Sequence, residues 1–484
     1  MASEIKTLAP ELVWGFFYDL TQIPRPTGHT QASQEYVLSV AERLGLVAKR
    51  DNVGNILITK PATEGMQDKP TITLQAHLDM VPQKNSATQH DFLTDPIDAY
   101  IDGEWVRARE TTLGADNGIG AAYALAVLAS KDIKHGPLEA LFTIDEEVGM
   151  VGANGLQAGF SKGDILINLD SEEEGQLFVG CAGGLDVRAV LEYKEQEYQP
   201  EREVAVRVSL TGLKGGHSGM DIILGRANAN KLMIRFLKEA VSYHGVRLSS
   251  FEGGSLRNAI PREAFAIITL PVEEADGLWE LASDYLDIFR SEYHGVEDGI
   301  QLTLEKCDMP TTLVPEEIQD SVIHAIEGCV NGVMSMLTDF PGVVESSTNM
   351  ARVSLSNGCF EAIFLVRSSS ETRKEQVASS IESIMTLCGA SVEFAGGYNG
   401  WNPNINSPIL STLQRAYTEI MGEPAGVQVI HAGLECGIIQ GVMPEMDMIS
   451  IGPDIRSPHS PDERVHIASV ARTWEVLKRC LECI

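Results

Sequence analysis

Residues 71–81, TITLQAHLDMV, form an apolar run that ends in the polar side chains of His77 and Asp79. The same texture recurs in LEALFTIDEEVG (138–149) and in DILINLDSEEEG (164–175), where acidic residues close an apolar segment. Between the first two runs, NGIGAAYALAVLAS (117–130) is rich in small, helix-forming residues and predicts a buried helix. Short apolar runs that alternate with helices predict an α/β fold with a central mixed β-sheet flanked by helices.

The pattern of apolar and polar residues along the sequence changes at about residue 187. VAVRVSL (204–210) alternates between apolar and polar residues, as a half-exposed strand does. Further helices and strands follow up to SVEFA (391–395), in what we interpret as two successive α+β halves of similar order. We therefore predict one α/β domain formed by residues 1–186 and 397–484, interrupted by an inserted α+β domain, 187–396, that has two similar halves.

Composition excludes several classes of protein. The 37 basic and 68 acidic residues give a net charge of −31, which repels phosphate backbones, so we expect no nucleic-acid partner. No apolar run approaches the roughly 20 residues that cross a bilayer, and MASEIKTLAPELVWGFF at the start lacks the pattern of a signal peptide. We expect a cytoplasmic protein with no membrane contact, whose eight scattered cysteines are reduced and structural, including the lone C-x-x-C of Cys480 and Cys483.

Acids and histidines fall where predicted strands end or helices begin. Seven such residues stand out: His77, Asp79, Asp116, Glu146, Glu147, Asp170 and His459. In open α/β sheets the carboxyl ends of the strands share one edge, where sites form. Imidazole nitrogen and carboxylate oxygen both bind zinc, and two metals about 3.5–4 Å apart can share a bridging carboxylate. Each residue alone also fits a structural role, so the prediction of a metal site rests on their order along the chain.

Two short patterns refine this prediction. In the pair Glu146-Glu147, neighbouring side chains point in different directions, so one can bind metal while the other reaches a metal-bound water. His77-x-Asp79 suits a ligand and the carboxylate that orients it. Near the C-terminus, Ser460 as N-cap, Pro461 in the first turn and Glu463 as a capping-box acid predict that the last helix begins there.

Five segments carry a resemblance to a known family: QAHLDMVPQ, LGADNGIGAA, FTIDEEVGMVGA, LINLDSEEEG and SPHSPDERV. They resemble the dinuclear zinc peptidases related to aminoacylase and carnosinase, over nearly the whole chain. Three more segments resemble the branch of that family that cleaves Xaa-His dipeptides such as carnosine: GLKGGHSGMDI (212–222), GGSLRNAIPREA (253–264) and HAGLECGIIQG (431–441).

The resemblance implies a role for each candidate residue. Asp116 bridges two zinc ions, which cobalt or manganese can replace; His77 and Asp170 complete one shell, and Glu147 and His459 the other. Glu146 is the general base for a hydroxide that bridges the zinc ions, and Asp79 orients His77. His217 stabilises the oxyanion in the partner subunit of a homodimer, formed through the inserted lid and dimerisation domain. The implied substrate-binding residues are Asn258, Arg367 and Gly433.

Several alternatives stay open at this stage. Arg367 also fits an ion pair at the surface end of a strand, and His217 fits a histidine of a glycine-rich turn. The same dinuclear site would serve a broader dipeptidase or an N-acyl amino-acid deacylase. A non-catalytic member of the family is a third hypothesis, which the presence of Glu146 and of all five ligand positions disfavours.

Overall fold

The computed structural model describes residues 2–198 and 202–484, which form two compact units. Unit 1 contains residues Met1–Gly180, Trp401–Val429 and Leu434–Ile484, and unit 2 contains Cys181–Gly400 and Ile430–Gly433. The boundaries predicted from the sequence, 186/187 and 396/397, fall inside two strands of unit 2, Gly183–Glu192 and Ser391–Tyr398.

The helices and strands are numbered in chain order. The α-helices are α1 Glu11–Thr21, α2 Gln31–Leu44, α3 Ala115–Ala129, α4 Val151–Gly155, α5 Ala229–His244, α6 Ala275–Glu292, α7 Glu316–Gly328, α8 Glu371–Leu387, α9 Pro408–Met421, α10 Glu435–Val442 and α11 Ile467–Cys483. Short 3-10 helices span Ala2–Thr7, Glu146–Val148, Ile222–Leu224 and Val272–Glu274. The strands are β1 Val47–Arg50, β2 Ile56–Lys60, β3 Ile72–His77, β4 Ala99–Asp102, β5 Trp105–Ala108, β6 Leu138–Thr143, β7 Ile165–Asn168, β8 Gln176–Cys181, β9 Gly183–Glu192, β10 Gln196–Glu197, β11 Glu203–Thr211, β12 Gly216–His217, β13 Arg247–Gly253, β14 Ala259–Ile260, β15 Ala264–Pro271, β16 Gln301–Cys307, β17 Thr312–Leu313, β18 Gly332–Met336, β19 Val344–Ser356, β20 Cys359–Ser368, β21 Ser391–Tyr398, β22 Gly426–Ile430, β23 Asp447–Ser450, β24 Ile455–Arg456 and β25 Arg464–His466.

A mixed sheet forms the centre of unit 1, as the sequence predicts. Among the described residues its order is β1-β2-β6-β3-β7-β23-β8-β22. The strands β6, β3, β7 and β23 run parallel to one another, so their carboxyl ends lie at one edge. Strands β3 and β6 are buried at every position, which explains their continuous apolar sequences.

Helix α3 packs against β3 and is buried on nearly every side. Its alanines and glycines allow that close approach, because larger side chains would need more room. The regular helix begins only after Asn117, since Asp116 and Asn117 have non-helical backbone angles. Asp116 therefore lies in a bend between a loop and a buried helix.

The last helix, α11, begins at Ile467, so the capping box predicted at Ser460–Glu463 is wrong. Its N-cap is His466, whose ring nitrogen accepts a hydrogen bond from the Ser469 amide. Residues 464–466 form β25, which pairs with β5. The carboxylate of Glu463 is buried and accepts hydrogen bonds from a different segment of the chain, so it is not available to cap a helix.

Unit 2 is built on a sheet with the order β16-β11-β15-β13-β19-β20-β9-β21, in which β18 also pairs with β19. From the centre of this sheet outward, one half has the strand order β13-β15-β11-β16 and the other has β19-β20-β9-β21. Corresponding strands and helices follow each other in the same order along the sequence, which matches the predicted two halves. The halves are not strictly successive, because β9 precedes the first half and pairs with β20 and β21 of the second.

Candidate metal centre

Three neighbouring parallel strands of unit 1 deliver candidate ligands to one edge of the sheet. His77 is the last residue of β3, the pair Glu146-Glu147 follows β6, and Asp170 lies two residues after β7. The register aligns His77 with Thr143, the last residue of β6. These side chains therefore meet because parallel strands end together.

Two loops bring the remaining candidates to this edge. Asp116, in the bend before the regular part of α3, places Oδ1 3.2 Å from Nε2 of His77 and Oδ2 3.0 Å from Nε2 of His459. Nε2 of His459 also lies 3.0 Å from Oε2 of Glu147. The two oxygens of one carboxylate thus face two different imidazoles.

The donor atoms form overlapping groups that suit divalent cations. In the groups His77–Asp116–Asp170 and Asp116–Glu147–His459, the donor atoms lie within 4.8 Å of one another, and Asp116 belongs to both. Oε1 of Glu147 and Oδ1 of Asp170 are buried and have no hydrogen-bond partner among the described residues. Buried carboxylate oxygens without donors are costly unless a cation neutralises them, so the donor set fits two metal ions.

The electrostatics of the cluster point the same way. Burial raises the pKa of Asp170 to about 6, and it raises the pKa of Glu146 well above its usual range. Hydrogen bonds to Asp116 and Glu147 raise the pKa of His459 to about 11. For His77, burial lowers the pKa, but the nearby carboxylates outweigh it and the pKa is raised. These raised pKa values reflect an excess of negative charge in the cluster, which suits the binding of cations.

Asp79 joins three parts of this centre. Its fully buried carboxylate accepts hydrogen bonds from the Glu146 and Glu147 amides, at 3.0 and 3.2 Å, and Oδ1 lies 3.3 Å from Nδ1 of His77. A carboxylate on the far nitrogen of a ligand imidazole fixes its tautomer and orientation. Asp79 thus contacts His77 and the backbone of the acidic pair at the same time.

Glu146 belongs to a third possible metal group, with His77 and Glu147. Its donor atom therefore lies close enough for either of two roles, ligand or base. Adjacent residues in the 3-10 helix Glu146–Val148 point their side chains in different directions, which keeps the two acids distinct.

The four predicted substrate-side residues, His217, Asn258, Arg367 and Gly433, all belong to unit 2. Arg367 is buried, and its guanidinium donates to neutral hydroxyls, Tyr398 at 3.0 Å and Ser218 at 3.4 Å. In the part of the chain that the structure describes, it has no ion pair with a carboxylate. The surface ion pair considered from the sequence is therefore not formed.

His217 is held as a neutral imidazole with a defined tautomer. Its Nδ1 accepts hydrogen bonds from the Gly219 and Met220 amides, at 3.2 and 3.1 Å. Burial and the charge of Arg367 lower the pKa of His217 to about 4. A neutral ring whose Nδ1 is an acceptor carries its proton on Nε2, so His217 presents one N–H donor.

For the other two candidates, Asn258 and Gly433, the structure gives only backbone contacts and burial. Asn258 is exposed, and its carbonyl oxygen accepts from the Ser218 amide at 2.8 Å, next to His217. Gly433 is half-buried and lies two residues after His431. His431 is buried, and its Nε2 lies 2.7 Å from Oγ of Ser347.

Sequence reasoning missed several buried polar residues near these groups. Arg25 and Glu463 are about 1% exposed and bind the backbone of the segments that carry Asp79 and Asp116. Glu435 is fully buried and accepts from Gln75 and Thr143, at 2.6 and 2.7 Å. Their sequence contexts, PRPTG, SPDER and GLECG, contain turn signals that do not reveal such distant partners.

The fold and the ligand cluster define a metallopeptidase. Residues 73–482 match peptidase family M20/M25/M40, and the chain belongs to this family of hydrolases. The match confirms the predicted fold class and enzyme class. Among residues 2–198 and 202–484, no helix is both long and apolar enough to cross a membrane.

Individual relatives show which members of the family the chain resembles. The chain is 46% identical over 480 residues to a cytosol non-specific dipeptidase of Escherichia coli (strain K12), covering 99% of both chains. A crystal structure of aminoacylhistidine dipeptidase from Vibrio alginolyticus superimposes with a TM-score of 0.93 at 46% identity, covering 100% of this chain and 99% of that one. Human carnosine dipeptidase 1 shares the fold, with a TM-score of 0.51 at 12% identity, covering 99% of this chain and 97% of that one.

Proposed function

We propose that this chain is a dipeptidase that uses two zinc ions to hydrolyse Xaa-His dipeptides such as carnosine. The observation that carries the metal part is Asp116, whose two oxygens face His77 and His459 at 3.2 and 3.0 Å. His77 and Asp170 would hold one ion, Glu147 and His459 the other, and Asp116 both. Cobalt or manganese would substitute, because the same donors accept them.

The bound ions would polarise the scissile carbonyl and make a water molecule acidic enough to attack it. Glu146 takes the proton of that water and returns it to the leaving amine. Burial raises the pKa of Glu146, which suits a group that must hold a proton between two steps. Asp79 holds Glu146 and His77 in place relative to each other, because the same carboxylate contacts the Glu146 amide and Nδ1 of His77.

The substrate-side roles follow from charge and tautomer. Arg367 is a buried cation without a carboxylate partner among the described residues, so an anionic ligand group would complete it. A dipeptide carries a free carboxylate, which a guanidinium binds through two parallel hydrogen bonds. The Nε2–H of His217 suits donation to the oxyanion that develops at the carbonyl. We assign Asn258 and Gly433 to the same substrate-binding set.

A second candidate is a dipeptidase of broader specificity. It is favoured by the E. coli relative, which is 46% identical and is described as non-specific. The same site would also suit an N-acyl amino-acid deacylase, which does not need a free amino group on its substrate.

The test is histidine release from β-Ala-His and a panel of other Xaa-His dipeptides, beside dipeptides without histidine and N-acetyl amino acids. Each substrate is assayed with zinc and with a chelator. Chelator-sensitive release confined to Xaa-His peptides is the expected result. Comparable rates on all dipeptides would instead support the dipeptidase of broader specificity. Hydrolysis of acyl amino acids alone would point to a deacylase, and no hydrolysis together with less than one ion per chain to a non-catalytic member.

We further propose that the chain acts in the cytoplasm, as the description of the E. coli relative suggests. We also propose that it forms a homodimer through unit 2. The 3-10 helix Ile222–Leu224 contacts β18, and several apolar side chains of these segments and of the turn before the 3-10 helix are exposed in the single chain: Met220, Ile223, Leu224, Val333, Met334 and Met336. Clustered exposed apolar side chains mark an interface. Sedimentation should give twice the chain mass, and Leu224→Glu should give monomers.

A further inference from the structure

Two buried charged residues that the proposed chemistry does not use lie directly behind the metal centre in unit 1. Glu463 is 1% exposed, and it accepts hydrogen bonds from four consecutive backbone amides. Its Oε2 accepts from Leu113 and Gly114 at 2.7 and 2.9 Å. Its Oε1 accepts from Ala115 and Asp116 at 2.7 and 3.1 Å. The carboxylate thus fixes the whole segment that ends in Asp116.

Arg25, also 1% exposed, binds the same segment from its carbonyl side. Nη2 donates to the carbonyl of Gly114 at 2.6 Å. Nη1 donates to the carbonyls of Leu78 and Asp79 at 3.1 and 3.0 Å. One guanidinium therefore ties the chain just after His77 to the chain just before Asp116.

The space around Arg25 is filled. A Cβ at Gly114 would lie 2.7 Å from Nη2 of Arg25, and a Cβ at Gly118 would lie 2.6 Å from the same atom. The two glycines of the LGADNG segment thus leave room for the guanidinium. Their presence there has a physical reason beyond the turn itself.

The charges of the two residues compensate each other. Burial lowers the pKa of Arg25, and the negative charge of Glu463 is the largest influence that opposes it. Burial raises the pKa of Glu463 to about 7, against the four amide hydrogen bonds that favour its ionised form. A buried charge is tolerated when a partner and hydrogen bonds replace its hydration, so each residue would be strongly destabilising without the other.

We propose that Arg25 and Glu463 are positioning residues for the metal centre. Together they hold the backbone of Leu113–Asp116 against that of Leu78–Asp79, so that Asp116 stays 3.2 Å from His77 when no cation is bound. Without this restraint, repulsion from Glu147 and Asp170 would drive the Asp116 carboxylate away. The restraint raises metal affinity because the ligands need no rearrangement on binding. This inference rests on the proposed metal-dependent function.

The test is a titration of metal-free protein with Co²⁺, followed by the visible absorption of the bound ion and by competition with a chelator. Glu463→Gln keeps the size of the side chain but removes the charge and replaces one acceptor with an amide donor. We expect a loss of Co²⁺ affinity of about 10–100-fold, typical of residues that orient ligands.

The matched control is Glu139→Gln. Glu139 is another buried acid of unit 1, which accepts from the Lys162 amide and from the Ser161 hydroxyl. It lies on β6 near the end opposite to Glu146. We expect a similar loss of melting temperature in both variants, but unchanged Co²⁺ affinity in the control. Equal Co²⁺ affinities for Glu463→Gln and wild type would overturn the proposal.

A second variant covers the case in which Glu463→Gln does not fold. Gly118→Ala leaves both charges in place but pushes the Arg25 guanidinium aside, and we expect the same weakening of Co²⁺ binding. Unchanged binding in this variant would refute the positioning role of Arg25. If wild-type protein itself binds no Co²⁺, the proposed metal-dependent function fails instead, so the two failures are distinguishable.

Discussion

Units 1 and 2 each bury a group of ionisable side chains, and the two groups have opposite character. In unit 1, the carboxylates crowd around two imidazoles, and burial raises the pKa of Asp170 to about 6. In unit 2, Arg367 lies near two histidines, and burial together with its positive charge lowers the pKa of His217 to about 4 and of His431 to about 3. The first group attracts cations, and the second attracts anions.

This difference shows what each group lacks. Folding normally pairs buried charges within the protein, since an uncompensated ion costs several kcal/mol. Neither group is neutralised by the described residues of its own unit. A buried excess of charge thus indicates the sign of the ligand that would suit each group, cations for unit 1 and an anion for unit 2.

The largest expected effect separates the two acids of unit 1. Glu146→Gln should lower kcat by about 10²–10⁴-fold, as expected for loss of a general base, with metal content unchanged. Glu147→Gln, the same change one residue away, should lose bound zinc. Turnover is measured in an activity assay, and the zinc content is measured by atomic absorption. Loss of zinc in Glu146→Gln as well would make Glu146 a ligand, as its proximity to His77 and Glu147 permits.

The second prediction concerns the neutral histidine of unit 2. His217→Ala should lower kcat by about 10²–10³-fold, the effect of removing one oxyanion donor, without loss of zinc. His244→Ala is the control, because His244 is another partly buried histidine of unit 2 and pairs with Glu274 at 3.0 Å. An unchanged rate in His217→Ala would remove this residue from the mechanism.

Arg367→Lys should produce a smaller effect, and mainly on KM. Lysine keeps the charge but cannot form two parallel hydrogen bonds to a carboxylate, so kcat/KM should fall about 10–100-fold. Arg352→Lys, on β19 at a more exposed position, should leave kcat/KM unchanged. If a dipeptide amide, which lacks the carboxylate, is cleaved as well by wild type as the free dipeptide, Arg367 has another role.

The smallest effect is a dependence of stability on pH in unit 2. His431 has a folded pKa of about 3 against about 6.5 when unfolded, so the unfolded chain gains a proton first as the pH falls below 6.5. Its contribution to stability is present above that pH and is lost toward pH 3. Between pH 7 and 5.5, wild type should lose about 1 kcal/mol more than His431→Gln in urea unfolding. Equal losses would mean that the pKa of His431 does not differ between the folded and unfolded chains.

The sequence predicts those parts of the fold and of the candidate site that depend on local pattern. His77, Glu146 and Asp170 follow buried apolar runs, and the parallel strands bring such positions together without further information. Glu463 could not be interpreted in this way, because its partners lie 347–350 residues away and its local context resembles a helix cap. The start of α11 was missed for the same reason.

The tautomer of His217 was also beyond sequence reasoning. The tautomer is set by the two backbone amides that donate to Nδ1, and only the folded turn places those amides there. Likewise, Arg367 on a strand gives no sign in the sequence of whether an acid lies beside it. Long-range partners and the absence of partners are properties of the packed chain.

The sequence separation of 343 positions between Asp116 and His459 has a consequence for synthesis on the ribosome. All the strands of unit 2 emerge before His459 does. A nascent chain can therefore complete the sheet of unit 2 before His459 is available to contact Asp116 and Glu147. The group Asp116–Glu147–His459 can be complete only after residue 459 has been translated, so shorter chains released early would lack part of this group of donors.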